Sequence, residues 1–169
     1  GVPLWGTLIS LSKKDKIILG LVDIPALDER YIGFKKTAYK FVNGKKSVLK
    51  VKKNKKLKNA ILNTTSPYVF AVKNDRNAFE RLSKKTKSTR LGGDCYSYCL
   101  LADGHVDIVV ESGLAPWDIR ALEPIIKNAG GILKTWDNNE IFSGGKIIAC
   151  TNKSLFNDVR NILNKKKPS

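Results

Sequence analysis

The chain has 169 residues, 42% of them hydrophobic, and 31 Lys and Arg against 15 Asp and Glu, for a formal net charge of +16. That apolar fraction supports a packed core and excludes a disordered basic tail, and no run approaches the roughly 18 apolar residues that span a bilayer. Three cysteines, an odd number, argue against a disulfide framework and for a reducing cytoplasm, and Gly1-Val2-Pro3-Leu4-Trp5 has no secretory leader pattern.

The first part reads as antiparallel β structure. Residues 4–11 and 16–23 are strand-like on either side of the polar turn Ser12-Lys13-Lys14-Asp15. Residues 28–34 and 37–42 form a second pair. Asn43-Gly44 is the strongest short hairpin signal, so residues 47–51 are expected to return as a strand. No helical period survives over this stretch. A Lys/Asn-rich connection near residues 53–60 then divides the chain into 1–57, a β-sheet subdomain, and 58–169, an α/β subdomain.

The second part alternates. A strand is expected at 60–64, a helix at 75–82, a turn at Arg90-Leu91-Gly92-Gly93, and a helix at 95–102 with Asp94 as its N-cap. A strand follows at 105–111. The best helical pattern is 117–129, where Ile119, Leu122, Ile125, Ile126 and Ala129 share one face and Gly130-Gly131 ends the helix. Strands at 132–136 and 146–150 and a helix at 153–163 complete the order. A five-stranded sheet needs cover on its apolar face, and the first part holds no helix to provide it, so the chain reads as one lacking its front.

The charge is unevenly spread. Residues 31–74 contain twelve Lys and no acid, eleven of the lysines lie within 35–58, and residues 91–160 carry a net −3. A lysine-rich patch attracts phosphate backbones non-specifically. Yet Lys outnumbers Arg 25 to 6, and Arg is the residue that grips phosphate with two parallel bonds. Tyr31-Ile32-Gly33-Phe34 only faintly resembles an RNA-recognition strand, and no second matching strand is visible. A solvated strand-and-turn face is favoured over specific nucleic-acid binding.

Glu111-Ser112-Gly113-Leu114-Ala115-Pro116-Trp117-Asp118 is the most pointed stretch. A strand ends in a carboxylate, a Gly/Pro loop follows, and Asp118 lies in the first turn of a helix, where the dipole favours an anion. An Asp at that position commonly just stabilises the helix. A functional role requires Glu111 and the Gly92-Gly93-Asp94 loop to converge with it on one pocket. Paired carboxylates beside a phosphate-sized pocket suit Mg²⁺. Cys95 and Cys99, one helical turn apart, read as packing, since the single histidine, His105, reads as a surface residue. Trp5, Trp117 and Trp136 sit at element ends and read as packing too, while Asp103 and Asp107 are too turn-like to assign.

Arg90-Leu91-Gly92-Gly93-Asp94-Cys95-Tyr96, then Val106-Asp107-Ile108-Val109-Val110-Glu111, Pro116-Trp117-Asp118 and Ala129-Gly130-Gly131, resemble the C-terminal signature of the inositol monophosphatase family. The Gly-Gly-Asp-Cys-Tyr variant and the Pro-Trp-Asp loop most resemble its histidinol-phosphatase branch. Upstream, Pro3 to Ile9, Asp23-Ile24-Pro25 and Glu29 to Gly33 are similar to the strands after that family's first motif, so the resemblance runs from residue 1 to about 163. It implies an α+β fold, a layered α/β/α/β/α sugar-phosphatase-like architecture with its N-terminal part missing.

The resemblance also implies Mg²⁺-dependent hydrolysis of a small phosphorylated metabolite. Histidinol phosphate, of histidine biosynthesis, is favoured, and inositol monophosphate or another small sugar or nucleoside phosphate is the alternative. Asp118 corresponds to a metal-ligating Asp, Glu111 to a substrate-contacting carboxylate, and Gly92, Gly93 and Asp94 to the loop lining the substrate pocket. Arg90 corresponds to a substrate contact in the histidinol-phosphatase branch. The family's Asp-Pro-Ile/Leu-Asp-Gly-Thr motif belongs just before Gly1, with its Glu-Glu motif and water-activating Thr earlier still, and none is present. The expectation is therefore a cytoplasmic chain inactive alone, completed by an N-terminal complementing fragment, a homodimer when complete, with no membrane partner. The competing reading is a non-catalytic remnant that binds nucleic acid through the lysine face.

Overall fold

A computed structural model describes residues 2–53 and 56–165; Gly1 and Lys55 of the lysine run lie outside the described residues. Ten strands form two five-stranded sheets. The first is an antiparallel meander of β1 (Thr7–Lys13), β2 (Lys16–Ile24), β3 (Glu29–Phe34), β4 (Thr37–Val42) and β5 (Lys45–Val48). Asn43-Gly44 forms the two-residue turn, with both residues at positive φ, so that Lys45 pairs at once with Val42. The return strand therefore begins at Lys45; past its end the Leu49 N–H still donates to the Ala38 carbonyl at 2.9 Å, and Leu49 and Val51 are buried in the core.

Strand alternation gives this sheet two unlike faces. Ser10, Gly20, Gly33 and Ala38 stand opposite one another in a single row of small residues. A Cβ added at Gly20 would come within 1.8 Å of the Ala121 carbonyl oxygen, and one at Gly33 within 2.3 Å of the Pro124 carbonyl carbon. That row is a trough in which a helix backbone is seated. The adjacent row, Ile9, Leu21, Ile32, Tyr39 and Val48, lies on the other face, where Ile9 and Val48 are exposed. Lys46 lays its ammonium 3.7 Å from the Tyr39 ring centroid.

The second sheet runs β7 (Ser88–Leu91), β6 (Ile61–Thr64), β8 (Ile108–Leu114), β10 (Gly145–Cys150) and β9 (Ile132–Thr135). Between the sheets lie α2 (Asp94–Ala102), the single-turn α3 (Pro116–Ile119) and α4 (Leu122–Asn128); α1 (Lys73–Ser83) and α5 (Lys153–Leu163) cover the far face. The described layers are thus β/α/β/α. The two sheets fall on either side of residue 57, but one core cluster joins Val22, Ile24 and Tyr31 of the first to Leu122, Ile125 and Ile147 of the second part. No described helix is long and apolar enough to cross a membrane.

Three sequence expectations are corrected. Arg90-Leu91 is the end of strand β7, paired in parallel with Asn63-Thr64, rather than a turn. The 117–129 helix is two helices, α3 and α4, because Pro124 has no N–H to donate to the Arg120 carbonyl and its ring crowds that turn. Gly93, not Asp94, occupies the N-cap of α2, and Asp94 is its first residue.

Candidate active site

Strands β7, β6 and β8 run parallel, so their carboxyl ends open on one side, the usual position for a ligand crevice in an α/β sheet. Past β7 the chain must reverse into α2. Gly92 and Gly93 do this at φ +85° and +105°, a left-handed region that side chains resist. The Gly92 N–H is shared between the Thr65 and Thr64 carbonyls at 2.9 and 3.1 Å, which ties this turn to the end of β6. A Cβ on Gly93 would lie 2.5 Å from Ser97 Oγ, and that hydroxyl donates to the Gly92 carbonyl at 3.2 Å. The glycines thus shape the loop that delivers Asp94.

Glu111 is carried by β8 and is 1% exposed. Its Oε1 accepts the Thr65 N–H at 2.6 Å, whereas Oε2 is buried with no hydrogen-bond partner. Burial pushes its pKa up to about 7; the Thr65 N–H and hydroxyl oppose that shift, and the Asp94 charge adds to it. Asp118 is exposed in the first turn of α3 and caps it, its Oδ2 accepting the Ala115 N–H at 2.8 Å. The helix-stabilising role is therefore real, and it engages one of the two carboxylate oxygens.

Asp94, Glu111 and Asp118 line one cavity of about 360 Å³, together with Thr65, Tyr98, Cys95, Trp5, Trp117 and several leucines. The convergence required of the paired carboxylates is met. Gly92 and Gly93 shape the rim without lining the cavity, and Arg90 points its residue position to solvent on β7, outside the lining set. Sequence reasoning missed Thr65 and Tyr98. Tyr98 lies four residues beyond Asp94, on the same face of α2, which is the signal that could have found it. Its hydroxyl is buried without a partner, and its pKa is raised by burial, then by the Glu111 and Asp118 charges.

The tryptophan reading is corrected in two cases of three. Trp136 is core, 3% exposed, but Trp5 and Trp117 are 60% and 77% exposed and wall the cavity. Cys99 is buried in the core; Cys95 reaches the cavity with its thiol pushed up to about 11 by burial and by Asp94, which keeps it a poor nucleophile. His105 lies outside the lining set, largely exposed beside Asp103.

The oxygen donors fit Mg²⁺ in kind, since that ion takes one or two carboxylates and fills its shell with water and phosphate oxygens. Asp118 is exposed, and one of its carboxylate oxygens is engaged by the Ala115 N–H. Among the described residues no group of three or more His, Cys, Asp or Glu could hold a metal ion. No Lys, Arg or His is among the described lining residues, despite the basic chain.

Comparison with known proteins agrees with this architecture. The model of the inositol monophosphatase family matches residues 1–166. The chain is 46% identical over 136 residues to the chloroplastic bifunctional phosphatase IMPL2 of Arabidopsis thaliana, covering 80% of this chain and 38% of that protein. It is 34% identical over 166 residues to a histidinol-phosphatase of Mycobacterium tuberculosis, covering 97% of this chain and 64% of the relative. An inositol monophosphatase structure from Zymomonas mobilis superposes with a TM-score of 0.88 at 36% identity, covering 96% of this chain and 64% of that one. The chain thus spans between 38% and 64% of the length of these relatives. With the family model matching residues 1–166 and the fold superposing on a solved member, the chain belongs to the inositol monophosphatase family.

Proposed function

We propose that this chain supplies the substrate pocket and one metal-holding carboxylate of a Mg²⁺-dependent phosphate monoester hydrolase, with histidinol phosphate as its favoured substrate. The convergence of Asp94, Glu111 and Asp118 on one cavity carries the reading. Mg²⁺, when bound, neutralises phosphate charge and acidifies a water. Asp118 would hold it, and the Gly92-Gly93 turn delivers Asp94 to the substrate. The printed name of the M. tuberculosis relative supports histidinol phosphate. The Z. mobilis inositol monophosphatase supports a second reading, an inositol monophosphate.

Among the described residues the cavity's carboxylates are too few to complete a metal site by themselves, which supports a chain that is inactive alone and gains activity from a fragment bearing the Asp-Pro-Ile/Leu-Asp-Gly-Thr motif. The complete enzyme is proposed to be cytoplasmic and homodimeric. The test is phosphate release from histidinol phosphate and from inositol 1-phosphate with Mg²⁺, by the chain alone and with such a fragment. Turnover is expected only in the mixture, with about a tenfold or greater preference in kcat/KM for histidinol phosphate. Robust turnover by the chain alone that Asp118→Asn abolishes overturns the inactivity; no turnover of any monoester by the mixture overturns the phosphatase reading.

A further inference from the structure

Asp118 is carried by a helix too short to hold itself in place. α3 has four residues, and a helix of one turn does not repay the ordering of its backbone in water. Its own ties are the Asp118 N–H to the Ala115 carbonyl and the Arg120 N–H to the Pro116 carbonyl, both at 3.1 Å. Ile119 is buried, while Trp117 and Asp118 stand exposed. The position of Asp118 therefore depends on what grips α3 from outside.

One loop, residues 141–145, grips the chain on both sides of Asp118. On the entry side, Gly145 pairs with Leu114 at the end of β8. Gly144 lies so close that a Cβ there would come within 2.3 Å of the Leu114 carbonyl oxygen. The loop is closed on itself by the Gly144 N–H, which donates to the Ile141 carbonyl at 2.8 Å, and Ile141 is fully buried. On the exit side, Arg120 Nε donates to the Phe142 carbonyl at 2.8 Å, and the guanidinium carbon lies 3.8 Å from the Phe142 ring centroid. A bond and a ring contact to the same residue orient a planar guanidinium as they could not orient a flexible ammonium. Neither Arg120 nor Phe142 is among the residues lining the cavity.

We propose that Arg120 is a positioning residue: clamped to the 141–145 loop, it fixes α3, and so sets where Asp118 stands in the cavity and how tightly the complete enzyme holds Mg²⁺. This rests on the reading of Asp118 as the metal-holding carboxylate.

The test has two readouts. Amide hydrogen exchange of the chain alone, resolved by NMR, compares Asp118 and Arg120 with Val109 and Val110 of β8, whose amides report global unfolding. In Arg120→Ala the first pair is expected to exchange about tenfold faster and the second pair at the native rate. Phe142→Leu keeps the carbonyl and loses the ring, so about a threefold effect is expected, and it decides the matter if Arg120→Ala does not fold. In the complemented enzyme, Arg120→Ala should raise the Mg²⁺ concentration for half-maximal phosphate release about tenfold, with kcat at saturating Mg²⁺ lowered by less than about threefold. Native exchange rates at 118 and 120, or an acceleration shared equally by β8, overturn the positioning role. So does an unchanged Mg²⁺ requirement in Arg120→Ala when Asp118→Asn abolishes release. If Asp118→Asn leaves release and its Mg²⁺ requirement unchanged, the metal reading of Asp118 falls, while faster exchange at 118 and 120 still upholds the clamp.

Discussion

Glu29 and Glu111 are both shielded carboxylates, one in the antiparallel sheet and one in the α/β part, and they are treated in opposite ways. Glu29 is met from two sides: the Tyr31 hydroxyl donates at 2.5 Å and the Lys40 ammonium lies 3.0 Å away. Lys40 also reaches Asp103 at 3.1 Å, which fastens β4 to the end of α2. Burial pushes the Glu29 pKa up, but the Tyr31 and Lys40 hydrogen bonds outweigh it and the pKa falls below the ordinary value. Glu111 has one oxygen satisfied and one left open, and its pKa is pushed up to about 7. A closed polar circuit stabilises a fold, whereas a half-open one facing a cavity marks a place for a ligand. The contrast extends across the regions: the buried polar residues Asn63, Thr64, Asp75, Ser97, Asp107, Glu111 and Thr151 all lie in the second part.

If the first sheet serves the site by seating α4, the largest effects should follow from filling its trough. Gly20→Val and Gly33→Val should each cost about 3 kcal/mol or more in urea unfolding, because backbone of α4 and its approach occupies the space. Phe34→Thr on the same strand, at an exposed position, should change stability by less than about 0.5 kcal/mol.

The two carboxylates should then give opposite pH slopes. The folded pKa of Glu111 is raised from 4.5 to about 7, so folding binds a proton and stability falls as pH rises between those values. At pH 8 the ionised, buried group opposes folding by on the order of 3 kcal/mol. Glu111→Gln should therefore stabilise the chain at pH 8 relative to the native sequence, have little effect near pH 4, and flatten the slope between pH 4.5 and 7. Glu29 has its pKa lowered, so its contribution is present above its ordinary value and is lost as the pH falls through the folded value. Lys40→Met should cost about 2 kcal/mol at pH 7 by stranding Glu29 and Asp103, and weaken the acid-side slope, in denaturation curves taken from pH 3 to 8.

A small stability effect belongs to the residue with the largest proposed chemical one. Asp118→Asn retains an oxygen to accept the Ala115 N–H and loses only the charge at the helix start, about 0.5 kcal/mol by thermal unfolding. The same substitution should abolish Mg²⁺-dependent turnover in the complemented enzyme.

The turn at Asn43-Gly44 was legible, although its return strand starts at Lys45 and not at Ser47, and α5 was legible because its apolar face repeats cleanly from Leu155 to Leu163. Asp94 and Asp118 were legible through the glycines and the proline that turn the chain beside them, whereas Glu111 lies within β8, which runs on to Leu114 rather than ending at the carboxylate. Strand β7 was hidden, since Ser88-Thr89-Arg90 is polar and only four residues pair. The α3–α4 break was hidden because the apolar spacing continues straight across Pro124. Trp5 and Trp117 were misread because a tryptophan at an element end looks alike in sequence whether it plugs a core or walls a cavity. Thr65 matters only through what the parallel strands place beside it, which no local pattern encodes, whereas Tyr98 was findable from its helical spacing to Asp94.

Phosphate release from histidinol phosphate tests the central claim most directly, measured for this chain plus a fragment bearing the Asp-Pro-Ile/Leu-Asp-Gly-Thr motif, with and without Mg²⁺ and with Asp118 or Asn at position 118. The account predicts release that needs both polypeptides and Mg²⁺ and is lost in Asp118→Asn. Release that persists undiminished in Asp118→Asn would contradict it.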